Sequence, residues 1–242
     1  FMNWIIFSPA ADHNGPKQGS QTMLKFYYST APNPMKVALF LEEAGLEYEP
    51  VPVDSRVGAQ FTPEYMAINP NAKSPSLVDG DVTVFDSNAI LLYLGEKTGK
   101  FMPENTPVAR GELLSWLMFV ATGIGPYSGQ SVHFRNHAPE KIEYAINRYV
   151  YEAERHYDIL DDRLAKQTYM LGDTYTIVDM CVWGWARLLP VVLGEGELEK
   201  RTNLHRLVSE ISARPAAERA IGLKDRYNHA FKTEMDDDAR KF

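Results

Sequence analysis

The chain carries one cysteine, Cys181, in 242 residues, so an internal disulfide and any chemistry needing two protein thiols are excluded. Cys181 stands in the apolar run IVDMCVWGW, where it reads as a small buried hydrophobe rather than a reactive thiol. A lone buried thiol fits a reducing, cytoplasmic compartment. Histidine is also scarce, at six residues. His133 and His137 are four apart but straddle a Gly- and Pro-flanked segment with no third ligand, so no metal site is expected. Basic residues are in deficit, 25 Lys and Arg against 32 Asp and Glu, for a net charge of −7. This argues against a nucleic-acid or anionic-membrane partner, since binding by counterion release needs a basic surface, although local basic pockets stay open. No hydrophobic run is long enough to span a bilayer, and the short apolar start FMNWIIF lacks a basic n-region. Internal repeats and low-complexity segments are absent.

What is present suits globular packing: 45% of residues are hydrophobic and 24% charged, enough for one large or two small domains with ordinary cores. Residues 1–22 read as an N-terminal extension. From Met23, short strand-like and longer helix-like pieces alternate. MLKFYY is a strand; Asn33 and Pro34 open a helix as cap and first residue, and Gly45 closes it. EYEPVPV is extended, and Thr62-Pro63 starts a short helix. Pro75 then precedes the extended SLV, where a proline belongs at a first strand position. The turn DGD, the strand VTVF and a helix from Ser87 to Thr98, ended by Gly99, complete a βαβαββα unit over residues 23–100. After a Pro-containing linker, 101–109, only helical periodicity remains, over 110–227: Arg110 to Thr122, Pro139 to Ala165, Thr176 to Leu189 and Leu204 to Ala213. Thr176 and Asp179 have capping-box spacing. Residues 228–242 read as a solvated charged tail. The fold class is α/β plus all-α.

Four local signals in this order resemble the glutathione S-transferase family: APNPMKVALFLEE at the first helix, KSP before the third strand, FDS before the next helix, and GDTYTIVD in the helical part. The texts TGIGPYSGQSVHF, APEKIEYAINRY and the Asn of APNP are similar to the bacterial nu-class group, whose members reduce disulfides with glutathione and no cysteine of their own. The resemblance implies a thioredoxin-like N-terminal domain, a helical C-terminal domain, a homodimer, and glutathione as substrate with no permanently bound cofactor.

It also implies a site. A glutathione thiolate is the nucleophile, and lowering a free thiol from ~8.5 by two pH units requires about 2.7 kcal/mol of preference for the charged form. A helix start contributes about 0.3–1 kcal/mol and one hydrogen bond to a charge about 1.5–3 kcal/mol, so a single donor there suffices. By its position alone Asn33 is a helix cap; the resemblance makes it the thiolate donor. The family's usual Thr two positions earlier is replaced by Ala31, which brings forward Thr30 and, behind it, Ser29. A cis Ser74-Pro75 bond would turn the Ser74 backbone outward to pair with the cysteinyl part of glutathione as an added strand. Lys73 and Gln60 would meet the glycyl end, Asp86 the γ-glutamyl ammonium, and Ser87, as helix cap, its carboxylate. In the long helix, Ile142, Ile146, Tyr149, Ala153, Tyr157 and Leu160 form the apolar stripe. Arg148 lies on another face, where the resemblance makes it hold a carboxylate of a second glutathione. Alternatives are conjugation of an electrophile in a pocket of Trp116, Tyr127 and Phe134, and a non-catalytic glutathione-binding or interaction module.

Overall fold

A computed structural model describes residues 23–234. The N-terminal unit contains β1 (Leu24–Tyr28), α1 (Pro32–Ala44), β2 (Tyr48–Pro52), α2 (Pro63–Met66), β3 (Ser76–Asp79), β4 (Val82–Phe85) and α3 (Ser87–Thr98). Its sheet order is β2-β1-β3-β4, with β2 parallel to β1, and β3 antiparallel to both β1 and β4. Helix α1 is the crossover that lets β1 and β2 run parallel. Leu24, Phe26 and Tyr28 alternate inward along β1, as a strand with one buried face requires.

The helical part contains α4 (Pro107–Phe119), α5 (Gly125–Val132), α6 (Glu143–Leu164), α7 (Ile177–Ala186), α8 (Leu189–Val192), α9 (Thr202–Ser212), α10 (Pro215–Ile221) and α11 (Leu223–Arg226). Helix α1 packs against α3, α7 and α10. Every residue from Pro34 to Leu41 is consequently buried, and one hydrophobic core runs through both parts. No described helix is long and apolar enough to cross a membrane.

Several boundaries differ from the sequence reading for identifiable reasons. Helix α1 is capped by the backbone of Ala31, with Pro32 at its first position, so Asn33 is a residue of the first turn rather than the cap. Asp86, not Ser87, caps α3: its Oδ1 accepts from the N–H groups of Asn88 (2.8 Å) and Ala89 (3.2 Å). Helix α4 begins at Pro107 inside the expected linker, because Thr106 caps it through Ala109 N–H at 3.2 Å. Helix α6 starts only at Glu143, and Ile142, counted in the apolar stripe, is exposed. The stripe holds farther along, where Ala153, Tyr157 and Leu160 are buried. The expected tail begins as packed chain: His229 Nδ1 bonds the Tyr28 hydroxyl at 2.9 Å, and Lys232 N–H donates to Asp54 Oδ2 at 2.7 Å. Residues 1–22 and 235–242 lie outside the described residues.

Candidate functional site

Three chain segments supply most of the expected site: the β1–α1 turn, the segment before β3, and the start of α3. In the first, prolines at 32 and 34 remove two N–H groups, and Met35 N–H returns to Ala31 O at 3.4 Å. The first turn of α1 therefore offers an anion the backbone N–H of Asn33 and the Asn33 side chain. That side chain is oriented from the other half of the molecule, since the Trp185 indole N–H donates to Asn33 Oδ1 at 2.9 Å. An indole nitrogen can only donate, so the amide oxygen must face Trp185, and Nδ2 is left as the outward donor. The Trp185 ring lies against α5, where a Cβ at Gly125 or Gly129 would stand 3.5 or 3.8 Å from it, in ordinary van der Waals contact.

Ser29 is buried, and its Oγ lies 2.9 Å from Ser74 Oγ, which joins the β1–α1 turn to the segment before β3. The Ser74-Pro75 peptide bond is cis. Among the described residues no hydrogen bond engages the Ser74 N–H or carbonyl, so this edge is available to a further extended segment. The Lys73 carbonyl is held by the Tyr65 hydroxyl at 2.8 Å and by Asn69 Nδ2 at 2.6 Å, and its side chain is exposed. Gln60 Oε1 is shielded from solvent and has no partner among the described residues.

At the start of α3, Asp86 adopts φ +72°, a left-handed conformation unusual for a non-glycine residue and often found at functional positions. Its Oδ1 is committed to capping; among the described residues Oδ2 has no hydrogen-bond partner. Two of the helix-start N–H groups expected to face a carboxylate are thus taken by Asp86, and the Ser87 N–H remains. Behind Ser87 sits Lys36, fully buried, with Nζ at 3.4 Å from Ser87 Oγ and 3.5 Å from Asn88 Oδ1. Burial pushes the Lys36 ammonium below its ordinary pKa, while the nearby Cys181 and Asp86 oppose that shift. Cys181 is itself fully buried, and burial pushes its thiol up to about 12, so it is no nucleophile.

Thr30 is exposed and lines a cavity of about 390 Å³ with Met35, Arg56, Arg187, Lys224 and Lys232 among its walls. The aromatic residues expected to form an electrophile pocket lie elsewhere: Phe134 stacks on Tyr149 at 5.2 Å, Tyr127 packs on His156 at 4.9 Å, and Trp116 is covered by the Arg163 guanidinium. Arg148 is half-exposed on α6 and ion-paired with Glu152 at 2.9 Å. Among the described residues no cluster of three or more His, Cys, Asp or Glu side chains is placed to hold a metal. The structure thus links Ser29 with Ser74 directly and ties Asn33 and Ser87 to α7 and α1. Among the described residues Arg148 pairs with Glu152 and with no residue of these segments.

Sequence reasoning missed Trp185, Lys36 and Arg187. Each reads locally as something ordinary: a core aromatic, a helix-surface lysine, a charge at a helix end. Only their long-range partners distinguish them.

Comparison with known proteins agrees with this architecture. Residues 22–96 match the glutathione S-transferase N-terminal domain and residues 118–215 the C-terminal domain. The chain is 42% identical over 170 residues to the Escherichia coli disulfide-bond oxidoreductase YfcG, a match covering 67% of this chain and 79% of that protein. It is 38% identical over 214 residues to the Escherichia coli disulfide-bond oxidoreductase YghU, covering 81% and 73% respectively. A Burkholderia graminis glutathione transferase, crystallised with two glutathione molecules per subunit, superposes with a TM-score of 0.79 at 37% identity, covering 84% of this chain and 89% of that one. Streptococcus pneumoniae YghU, complexed with glutathione, gives 0.77 at 38% identity over 92% and 88%. With both domains matched in order and a relative at 38% identity aligned over 81% of the chain, the chain belongs to the glutathione S-transferase family.

Proposed function

We propose that this protein is a nu-class-like glutathione transferase that reduces disulfide bonds with glutathione in the cytoplasm. The observation that carries the reading is the Trp185–Asn33 bond, which leaves Asn33 Nδ2 as a donor at the start of α1. A glutathione sulfur placed there receives Nδ2–H and the Asn33 N–H, and both favour its thiolate. Glutathione lies extended along Ser74, with its ammonium at Asp86, its γ-glutamyl carboxylate at Ser87 and its glycyl end toward Gln60 and Lys73. Lys36 Nζ behind Ser87, 3.4 Å from its Oγ, orients the Ser87 hydroxyl for the γ-glutamyl carboxylate.

The reaction needs no protein thiol. The thiolate attacks one sulfur of the disulfide, that S–S bond breaks, and the electron pair leaves on the second sulfur, which takes a proton from solvent. A second glutathione thiolate then attacks the glutathione sulfur of the mixed disulfide and releases the remaining thiol with glutathione disulfide. Two glutathiones are oxidised and one disulfide is reduced. Arg148, released from Glu152, is the proposed carboxylate ligand of that second glutathione. A homodimer accords with the exposed apolar side chains Val82 and Phe85 on β4 and Leu114 and Met118 on α4.

The test is turnover of hydroxyethyl disulfide with glutathione, measured beside conjugation of chlorodinitrobenzene. Dominant disulfide reduction is expected. Dominant conjugation would reassign the chemistry, and glutathione binding without turnover of either substrate would make the chain a binding module.

A further inference from the structure

The cavity that begins at Thr30 has an electrostatic character that the molecule as a whole does not share. Four cationic residues line it, Arg56, Arg187, Lys224 and Lys232, and among the described residues no Asp or Glu does, in a chain whose net charge is −7. Two acids adjoin these residues: Asp54 Oδ2 accepts the Lys232 N–H at 2.7 Å, and Asp225 is ion-paired with Lys224 Nζ at 3.9 Å at the surface. Arg56 donates to the Lys232 carbonyl at 2.9 Å, which fastens the C-terminal segment as one wall. Arg187 stands apart from the other three. Its guanidinium lies over the Trp183 ring at 5.1 Å, and its Nε is shielded from solvent without a hydrogen-bond partner among the described residues. Burial lowers its pKa, the sign of a charge with too little compensation. A buried donor left unpaired is costly, and a carboxylate answers a guanidinium through two parallel hydrogen bonds.

We infer that this cavity, with Arg187 as its principal ligand, seats a carboxylate of the second substrate, so that the preferred disulfides are those of small carboxylate-bearing thiols. The inference rests on the proposed glutathione chemistry, because Thr30 and Met35 place the cavity beside the first turn of α1. Its volume, about 390 Å³, suits a small molecule rather than a peptide. In the step itself the glutathione thiolate attacks the nearer disulfide sulfur, the S–S bond breaks, and the electron pair departs on the sulfur of the carboxylated thiol, which solvent protonates.

The experiment compares three disulfides of similar size with the wild-type enzyme and glutathione: dithiodiglycolate, neutral hydroxyethyl disulfide and cationic cystamine. Wild type is expected to favour dithiodiglycolate in kcat/KM. In Arg187→Gln the ratio of kcat/KM for dithiodiglycolate over hydroxyethyl disulfide should fall by about ten- to a hundredfold, mainly through KM. Arg187→Lys, which keeps charge but not the planar fork, should recover part of it. An unchanged ratio in Arg187→Gln would overturn the inference, as would an equal loss of glutathione affinity, which would assign Arg187 to the glutathione site. Calorimetric binding of dithiodiglycolate to both proteins separates the two proposals. Arg187-dependent binding without turnover contradicts the reductase reading alone, whereas turnover of all three disulfides without charge preference contradicts the anion cavity alone.

Discussion

Asn33 and Trp185 are 152 positions apart, yet one side chain determines which atom of the other faces the reactants. Trp185→Phe keeps most of the ring volume and removes only the N–H, so the Asn33 amide loses the partner that holds its oxygen away from the site. The expected result is a kcat fall of about five- to twentyfold with glutathione affinity nearly unchanged, and an acid limb of the pH–rate profile displaced to higher pH. A profile identical to wild type would make Trp185 a packing residue. Asn33 was legible in the sequence because its motif is local, although its expected capping role passed to the Ala31 backbone. Trp185 and Arg187 were not, since the groups that give them meaning arrive only through tertiary packing. Ser87 shows the complementary error: Asp and Ser are both good caps, and sequence spacing alone could not say which of two adjacent residues takes the task.

Helix α7 holds the site at the level of elements. Its capping box forms as its spacing implied, but Asp179 does more than close the box. It accepts from Thr176 N–H at 2.8 Å, Thr176 Oγ1 at 3.0 Å and Met170 N–H at 2.7 Å. Burial still outweighs these bonds and pushes its carboxyl up to about 6. A carboxyl whose folded-state pKa exceeds the unfolded value near ~3.9 gives stability that is full below that value and is lost as pH rises through about 6. The stability advantage of wild type over Asp179→Asn should therefore shrink between pH ~4 and ~7, by up to about 3 kcal/mol. Denaturant titrations of both proteins at several pH values check this, and an advantage that grows with pH would contradict it. Further along the helix, Gly184 is where α7 meets α1: a Cβ there would stand 2.4 Å from Lys36 Cγ and 3.0 Å from Pro32 O. Gly184→Ala should displace the start of α1, costing about 1–3 kcal/mol of stability and weakening glutathione binding. Unaltered melting and binding would show that α1 accommodates the methyl group. The neighbouring α5 escaped sequence reading because Gly125, Pro126 and Gly129 look like breakers, whereas the chain is helical from Gly125 to Val132 and lies against the indole of Trp185.

Across the whole molecule, α1 is the member shared by both halves, and charge fastens its far end. Glu42 accepts from Arg219 at 2.7 Å, Arg226 at 2.6 Å and the Tyr48 hydroxyl at 2.7 Å, and Glu43 pairs with Arg214. Burial opposes ionisation of Glu42, but the Tyr48, Arg226 and Arg219 bonds prevail and hold its carboxyl below the usual range. With the folded pKa depressed, this contribution is present above the unfolded value near ~4.3 and is lost as pH falls through the folded value. Glu42→Gln should thus destabilise the protein near neutrality and converge with wild type in acid; a gap independent of pH would contradict that assignment. The two-part architecture was legible at this scale because alternation of strand and helix gives way to helix alone, and both patterns are local. The fold-back of His229 to Lys232 onto Tyr28 and Asp54 was not, because polar residues near a chain end carry no periodicity to announce a docking partner.

The start of α1, through Asn33, is expected to hold bound glutathione as a thiolate. The direct measurement is the pKa of the glutathione thiol in complex with wild type and with Asn33→Ala, followed by thiolate ultraviolet absorbance against pH. The wild-type complex is expected to titrate about two pH units below the free thiol at ~8.5, and the variant to return most of the way toward it. A thiol that titrates in the wild-type complex as it does in free glutathione, or whose pKa is unmoved by removal of the Asn33 amide, would contradict it.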